Sequence, residues 1–172
     1  AMIDLKVIDN EEDISSHTFG LLTAADKTAA LSFGSTYEGI FKAWKEIYTQ
    51  DAEKGHKPDL PALFPADERL VPFDHEGSNW GQVCSWFINE CGTKADKEHW
   101  ASDIDSYKQM LTQQFGRETP VFGLIFLGIG PDGHTASLFP EDCPEPCDEE
   151  WNEPVLKTTA PFIPPERLTL GP

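Results

Sequence analysis

The segment 121–140, VFGLIFLGIGPDGHTASLFP, constrains this chain more than any other. Its opening run, 121–127, is almost wholly apolar, the pattern of a strand buried on both faces in the middle of a parallel sheet. The run breaks into Gly128, Gly130, Pro131, Asp132 and Gly133, with His134 at the tip of the turn. Residues 135–139 then read as a short helix that Pro140 ends. In open α/β sheets, ligands bind beyond the carboxyl ends of the strands. A titratable His beside an Asp at that place is a candidate active site.

The rest of the chain alternates strand-like and helix-like segments. Strands are expected at 3–8 (an edge), 29–33, 60–64, 155–159 and 168–170. A helix is expected at 37–48, with Ile40, Phe41, Trp44 and Ile47 on one face. A second follows Ser78 as cap, carries the stripe Trp80, Val83, Cys84, Phe87, Ile88 and Cys91, and stops at Gly92. A third spans 97–115, with Trp100, Ile104, Tyr107 and Leu111 at helical spacing. Segment 15–27 is ambiguous, because Gly20 weakens a helix. Segments 10–13, 50–58 and 141–153 read as polar turns or loops. The alternation predicts an α/β fold, a doubly wound and mostly parallel sheet flanked by helices, formed as one domain over 1–172.

Charge narrows the partners. A net charge of −17 argues against nucleic acid or an anionic membrane. A small anionic substrate remains open, but its site must be built from backbone N–H groups and a few of the 13 Lys and Arg side chains. No apolar run reaches transmembrane length and the N-terminus lacks a basic-then-apolar pattern, so a soluble, cytoplasmic protein is expected. Cys84, Cys91, Cys143 and Cys147 form no C-x-x-C pair and read as structural residues.

Several residue groups are candidates for chemistry. Gly128-x-Gly130-x-x-Gly133 matches a dinucleotide fingerprint literally, yet the long helix after it is missing and the acids at the right distance, Glu149 and Glu150, sit in a Pro-rich loop. The same glycines allow a sharp turn and close approach of backbone to a ligand. His134 is then a general base, and Asp132 orients its ring or holds a substrate hydroxyl; the plain alternative is a pair that only satisfies turn hydrogen bonds. Gly34-Ser35-Thr36 joins a strand to a helix and suits either a phosphate or an ordinary cap, with Ser35 and Glu38 matching a capping box. Arg69 and Arg167 can each grip phosphate oxygens in a fork, or pair with surface acids. Asp67 and Glu68 read as loop carboxylates rather than metal ligands.

These residues together resemble a known family. GIGPDGHTASLFP at 128–140 resembles the hallmark segment of the 6-phosphogluconolactonases, in the superfamily shared with glucosamine-6-phosphate deaminase. FGSTYEGIF at 33–41, ADERLVPFDHEGSN at 66–79 and PPERLTL at 164–170 are similar to three further family segments, in the same order. The resemblance implies a Rossmann-like fold and hydrolysis of 6-phosphoglucono-δ-lactone, without metal or organic cofactor, by a monomer whose partner is a small sugar phosphate. It implies that His134 activates water, with Asp132, Gly130 and Gly133 beside it. It also implies that Gly34, Ser35, Thr36 and Arg167 hold the 6-phosphate, and that Asp67 and Arg69 line the sugar pocket. The deaminase branch carries A-x-N-E-P after the His, and 136–140 has no such acid. Phe33 stands where the family has a turn glycine, and Tyr37 where it has a proline. Family members also continue through further strand and helix units, including a late Lys at the phosphate, so 1–172 is expected to be incomplete at its C-terminal end. A non-catalytic sugar-phosphate-binding remnant is the alternative to an enzyme.

Overall fold

The computed structural model describes residues 5–91, 100–116, 119–141, 144–145 and 148–172; Ser35 and Thr36 are described by their backbone alone. Cys143, Cys147 and Gly92 lie outside these residues. Helix α1 (Glu11–Ala24) opens the described fold. Asn10 caps it by accepting from the Asp13 backbone N–H at 2.8 Å, and Glu11, Glu12 and Asp13 complement the helix dipole. Segments 10–13 and 15–27, read as a turn and an ambiguous stretch, are thus largely one helix. Gly20 is tolerated because it lies on the exposed face, with nothing within 4 Å of its missing Cβ, while Phe19 and Leu22 are buried opposite. The expected edge strand at 3–8 does not form over 5–8. Leu5 and Val7 are exposed there, so the alternation serves no sheet face.

Strand β1 (Thr28–Leu31) is wholly buried and leads into α2 (Ser35–Glu53). Phe41, Trp44 and Tyr48 bury one face of α2, and Trp44 donates its indole N–H to the Ser15 carbonyl of α1 at 3.1 Å. Strand β2 (Ala62–Pro65) runs through Ala66 directly into β3 (Asp67–Arg69). Ser78 caps α3 (Asn79–Val83), accepting from the Gly81 N–H. The helical path continues through a π turn (Cys84–Ile88) into α4 (Asn89–Cys91), burying Trp80, Cys84, Phe87, Ile88 and Cys91 as the stripe predicted. Asp103 caps α5 (Ile104–Phe115), so this helix starts later than the expected 97; Trp100 precedes it in non-helical backbone. Strands β4 (Leu124–Phe126), β5 (Val155–Thr159) and β6 (Glu166–Leu170) complete the described elements, with one turn of 3₁₀ helix (Glu149–Asn152) before β5.

The strands form two sheets. One is parallel, in the order β2-β1-β4, with Ala29 opposite Leu63 and Leu124. The other is antiparallel, in the order β3-β6-β5. Ala66, fully buried, ties them: its N–H donates to Leu31 and its carbonyl accepts from Leu170, both at 2.8 Å. One core gathers Phe41, Trp44, Leu63, Trp80 and Phe87 between the parallel sheet and its helices; the other gathers Phe64, Tyr107, Leu111, Val155 and Leu168.

Two expectations about 121–140 are corrected. Strand β4 is not buried on both faces. It is an edge strand of the described sheet, and exposure alternates along it and the residues flanking it, with Val121, Ile125, Leu127 and Ile129 exposed by 79, 46, 52 and 85%. Residues 135–139 do not form a helix either: Thr135 and Leu138 bridge across a tight turn in which Ala136 takes a positive φ of 48°. Such a φ ends helical propagation for an L-residue.

Candidate active site

The turn after β4 is built from short-range contacts. The Gly130 N–H donates to the His134 carbonyl at 2.8 Å, and the Gly133 N–H to the Gly130 carbonyl at 3.0 Å. Gly133 has φ 88°, where a side chain would be strained. Gly130 is required for a different reason, since a Cβ there would overlap the His134 ring and crowd the Asp132 carboxylate. Asp132 Oδ1 lies 2.5 Å from His134 Nδ1 and also accepts the His134 backbone N–H at 3.2 Å. These hydrogen bonds hold the Asp132 carboxyl below the usual carboxylate range, so it is ionised near neutrality. An ionised carboxylate only accepts, so Nδ1 carries the proton and Nε2 is left as the basic nitrogen.

The second half of the site comes from the antiparallel sheet. Arg69 of β3 stands directly opposite Arg167 of β6, and Asp67 opposite Thr169. Arg69 is the last residue of β3 and Arg167 the second of β6, so both lie at strand ends within paired strands. Arg167 is only 2% exposed, and burial and the like charge of Arg69 pull its guanidinium down to about 10. Among the described residues its Nη1 has no hydrogen-bond partner, and neither does Oδ1 of the buried Asp67. Like charges facing each other across a sheet are destabilising, and buried polar atoms without partners are rare. An anion between the two arginines would offset their like charges and accept from Arg167 Nη1, whereas Asp67 Oδ1 calls for a donor such as a hydroxyl. Burial raises the Asp67 carboxyl, opposed by its Ser137 hydrogen bond and by the charges of Arg167, Arg69 and His134.

Two contacts join the halves. Ser137 Oγ donates to Asp67 Oδ2 at 2.7 Å, the Ser137 carbonyl accepts from Thr158 Oγ1 of β5 at 2.7 Å, and its N–H reaches Thr169 Oγ1 of β6 at 3.4 Å. The His134 turn is thereby pinned to all three strands of the antiparallel sheet. Phe162, between β5 and β6, supplies the other contact, its ring lying 6.3 Å from the His134 ring and 5.4 Å from Arg167 Cζ.

Gly34 lies at the N-cap of α2, beyond the end of β1. Its backbone is extended, and the helix begins at Ser35, so Gly34 and not Ser35 holds the cap position that the expected capping box needs. The side chains of Ser35 and Thr36 lie outside the described residues. Tyr37, in the first turn of the helix, links this corner to the rest. A Cβ on Gly128 would stand 3.3 Å from the Tyr37 ring, and burial with the charge of Asp67 raises the Tyr37 hydroxyl.

Sequence reasoning missed four contributors: Tyr37, Ser137, Phe162 and Glu68. Ser137 carried a signal, being a small polar residue between Ala136 and Leu138 in the hallmark segment. Glu68 was read as a solvated carboxylate but is fully buried. It accepts backbone N–H groups from Arg69 at 2.7 Å and from Asn79 and Trp80 at 2.8 Å, with Ser78 Oγ at 3.2 Å. Burial still outweighs these donors and pushes its carboxyl up to about 7. Arg69 Nη1 donates to the Gly77 carbonyl at 3.1 Å in the same loop, so Glu68 braces the segment that carries one of the two arginines.

A cavity of about 720 Å³ lies on the other side of the turn. Its walls, among them Phe122, Ile125, Leu127, Leu138 and Leu170, are mostly apolar, and neither His134, Arg69 nor Arg167 lines it. Among the described residues, no group of three or more His, Cys, Asp or Glu side chains is placed to hold a metal ion.

The family model for glucosamine-6-phosphate isomerases/6-phosphogluconolactonase matches residues 17–172, and the chain belongs to this family. It is 38% identical to the 6-phosphogluconolactonase of Homo sapiens over 116 residues, covering 60% of this chain and 43% of that protein. It is 37% identical to the Rattus norvegicus 6-phosphogluconolactonase over 140 residues, covering 72% of this chain and 53% of that protein. The chain thus spans about half the length of the curated relatives it matches. The solved structure of 6-phosphogluconolactonase from Trypanosoma cruzi superposes with a TM-score of 0.69 at 24% identity, covering 96% of this chain and 73% of that one. The α/β Rossmann-like fold expected from the sequence is the fold of this neighbour.

Proposed function

We propose that the protein containing this chain hydrolyses 6-phospho-D-glucono-1,5-lactone to 6-phosphogluconate in the oxidative pentose phosphate pathway. The observation that carries this reading is the Asp132–His134 pair, 2.5 Å apart, with Nε2 left basic, on a turn pinned to the sheet in which the half-buried Arg69 stands opposite the buried Arg167. His134 Nε2 takes a proton from water as its oxygen bonds to the lactone carbonyl carbon. Collapse of the tetrahedral intermediate breaks the bond from that carbon to the ring oxygen, which receives the proton back from Nε2. The product acid then ionises and releases one proton. A lactone is already activated, so a positioned base and a fixed substrate suffice as the main contributions. Arg167 and Arg69 bind the anionic end with the N–H groups of Gly34, Ser35 and Thr36, and Asp67 lines the sugar pocket. Gly130 and Gly133 give the turn the room that His134 needs.

The same reading places the enzyme in the cytoplasm as a monomer whose partner is a small sugar phosphate and not nucleic acid. No helix of the described residues is long and apolar enough to cross a membrane.

The test is acid release from fresh 6-phosphogluconolactone, measured against spontaneous hydrolysis with the full protein. Catalysed release that falls by about 10²–10⁴-fold in His134→Ala supports the assignment. Release no faster than the spontaneous rate, or an unchanged rate in the variant, rejects it. Ammonia release from glucosamine-6-phosphate would favour the deaminase branch, whose A-x-N-E-P acid is missing from 136–140.

A further inference from the structure

Phe162 is outside every motif used above, yet it touches both halves of the site. It lies in the 160–165 connection between β5 and β6, closed at its base by the Ala160 N–H donating to the Pro165 carbonyl at 2.7 Å. Its ring meets Phe139 edge-on at 5.7 Å, and the His134 ring packs on Phe139 at 5.0 Å and on Phe162 at 6.3 Å. The Arg167 guanidinium sits over the same phenyl ring. The three rings and the guanidinium form one contact group that runs from the candidate base to the candidate anion grip.

The chemistry of this contact differs from that of an ion pair. Arg167 forms no ion pair among the described residues, and it faces the like charge of Arg69. A carboxylate in the place of the phenyl ring would hold the guanidinium but would also neutralise it and repel an anionic ligand. An aromatic face attracts the cation through its quadrupole and leaves the full positive charge available. We propose that Phe162 is a positioning residue: its ring fixes the Arg167 guanidinium for an anionic sugar phosphate and, through Phe139 and His134, sets the base at a fixed distance from that anion. This rests on the roles given above to His134 and Arg167.

The test compares Phe162→Leu, which keeps an apolar side chain but loses the π face, with Phe162→Tyr, which keeps the face. Calorimetric binding of 6-phosphogluconate, steady-state lactone hydrolysis and the NMR resonance of His134 Cε1–H are measured on the full protein. Phe162→Leu is expected to raise both Kd and KM roughly tenfold, the scale of a lost cation–π contact, and to lower kcat less. It is also expected to move the His134 resonance in the ligand-free protein; Phe162→Tyr should restore all three. A Leu variant with wild-type Kd, KM and resonance overturns the proposal even if the enzyme is an active lactonase. A raised Kd and moved resonance in a protein without turnover uphold the proposal and sink the hydrolase reading. A wild type that binds no 6-phosphogluconate overturns both. A merely structural role predicts loss in Leu and Tyr alike, so failure of Tyr to rescue also counts against it.

Discussion

The His134 turn and the β3–β6 face are made in opposite ways. The turn is largely exposed, and the polar contacts that shape 130–134 run between residues two to four positions apart, from Gly130 to His134 and from Asp132 to His134. The β3–β6 face is buried, and its groups meet only because two distant strands pair in one register. Local geometry is enough to orient an imidazole. Bringing two arginines from distant segments to opposite register positions requires a sheet, with a core beneath it that contains Leu168 and Phe64. The turn is therefore expected to govern rate with little effect on stability, and the sheet face to couple affinity to stability.

The sharpest break in that contrast is Gly130→Ala. Its methyl group would enter the space of the His134 ring and move the base. A displacement of this kind is expected to lower kcat by about 10²-fold, with the melting temperature nearly unchanged. A large loss of stability alongside the loss of rate would mean that the 130–134 geometry is not set locally. Next is Glu68. Its carboxyl is raised from 4.5 to about 7 by burial. Between these values the unfolded chain binds fewer protons than the folded one at this site, so stability falls as pH rises from about 4.5 through 7. The linked loss is of order 3 kcal/mol at most. Chemical denaturation at pH 5 and pH 7.5 should show this slope in the wild type and a flatter one in Glu68→Gln; equal slopes refute the linkage. The smallest effect is expected from Ser137→Ala, which removes the hydroxyl that donates to Asp67 Oδ2 in a buried setting. It should cost about 1–3 kcal/mol in urea denaturation. A neutral result would show that the pin between turn and sheet carries no energy.

The same contrast decides what could be read without a structure. The Gly-Asp-Gly-His turn was legible because neighbours in sequence make it, and the helical stripes over 37–48 and 79–91 were legible from periodicity. The antiparallel sheet was not. Residues 66–69 look like a loop after a strand, and nothing local in them says that Arg69 will meet Arg167. The burial of Glu68 was hidden for the same reason, since its donors come from Arg69 and a capping segment ten or more residues on. The apolar run at 121–127 announced a strand correctly, but composition alone does not say which elements cover a face. In the described structure one side of β4 is open, with Ile125 and Leu127 exposed. The short helix at 135–139 failed because the positive φ at Ala136 turns the chain back toward Thr135, placing Ser137 over Asp67.

The central claim is that turn and sheet face form one site, the first acting on a lactone and the second holding its phosphate. Comparing 6-phosphogluconolactone with glucono-1,5-lactone, in the wild type and in Arg167→Met, tests it most directly. The account predicts a wild-type kcat/KM at least about 10²-fold higher for the phosphorylated lactone, since a site built around a polar group discriminates strongly against its absence. Arg167→Met should bring the two values to within about tenfold of each other by lowering only the phosphorylated one. Equal wild-type values, or a preference that survives Arg167→Met, would contradict it.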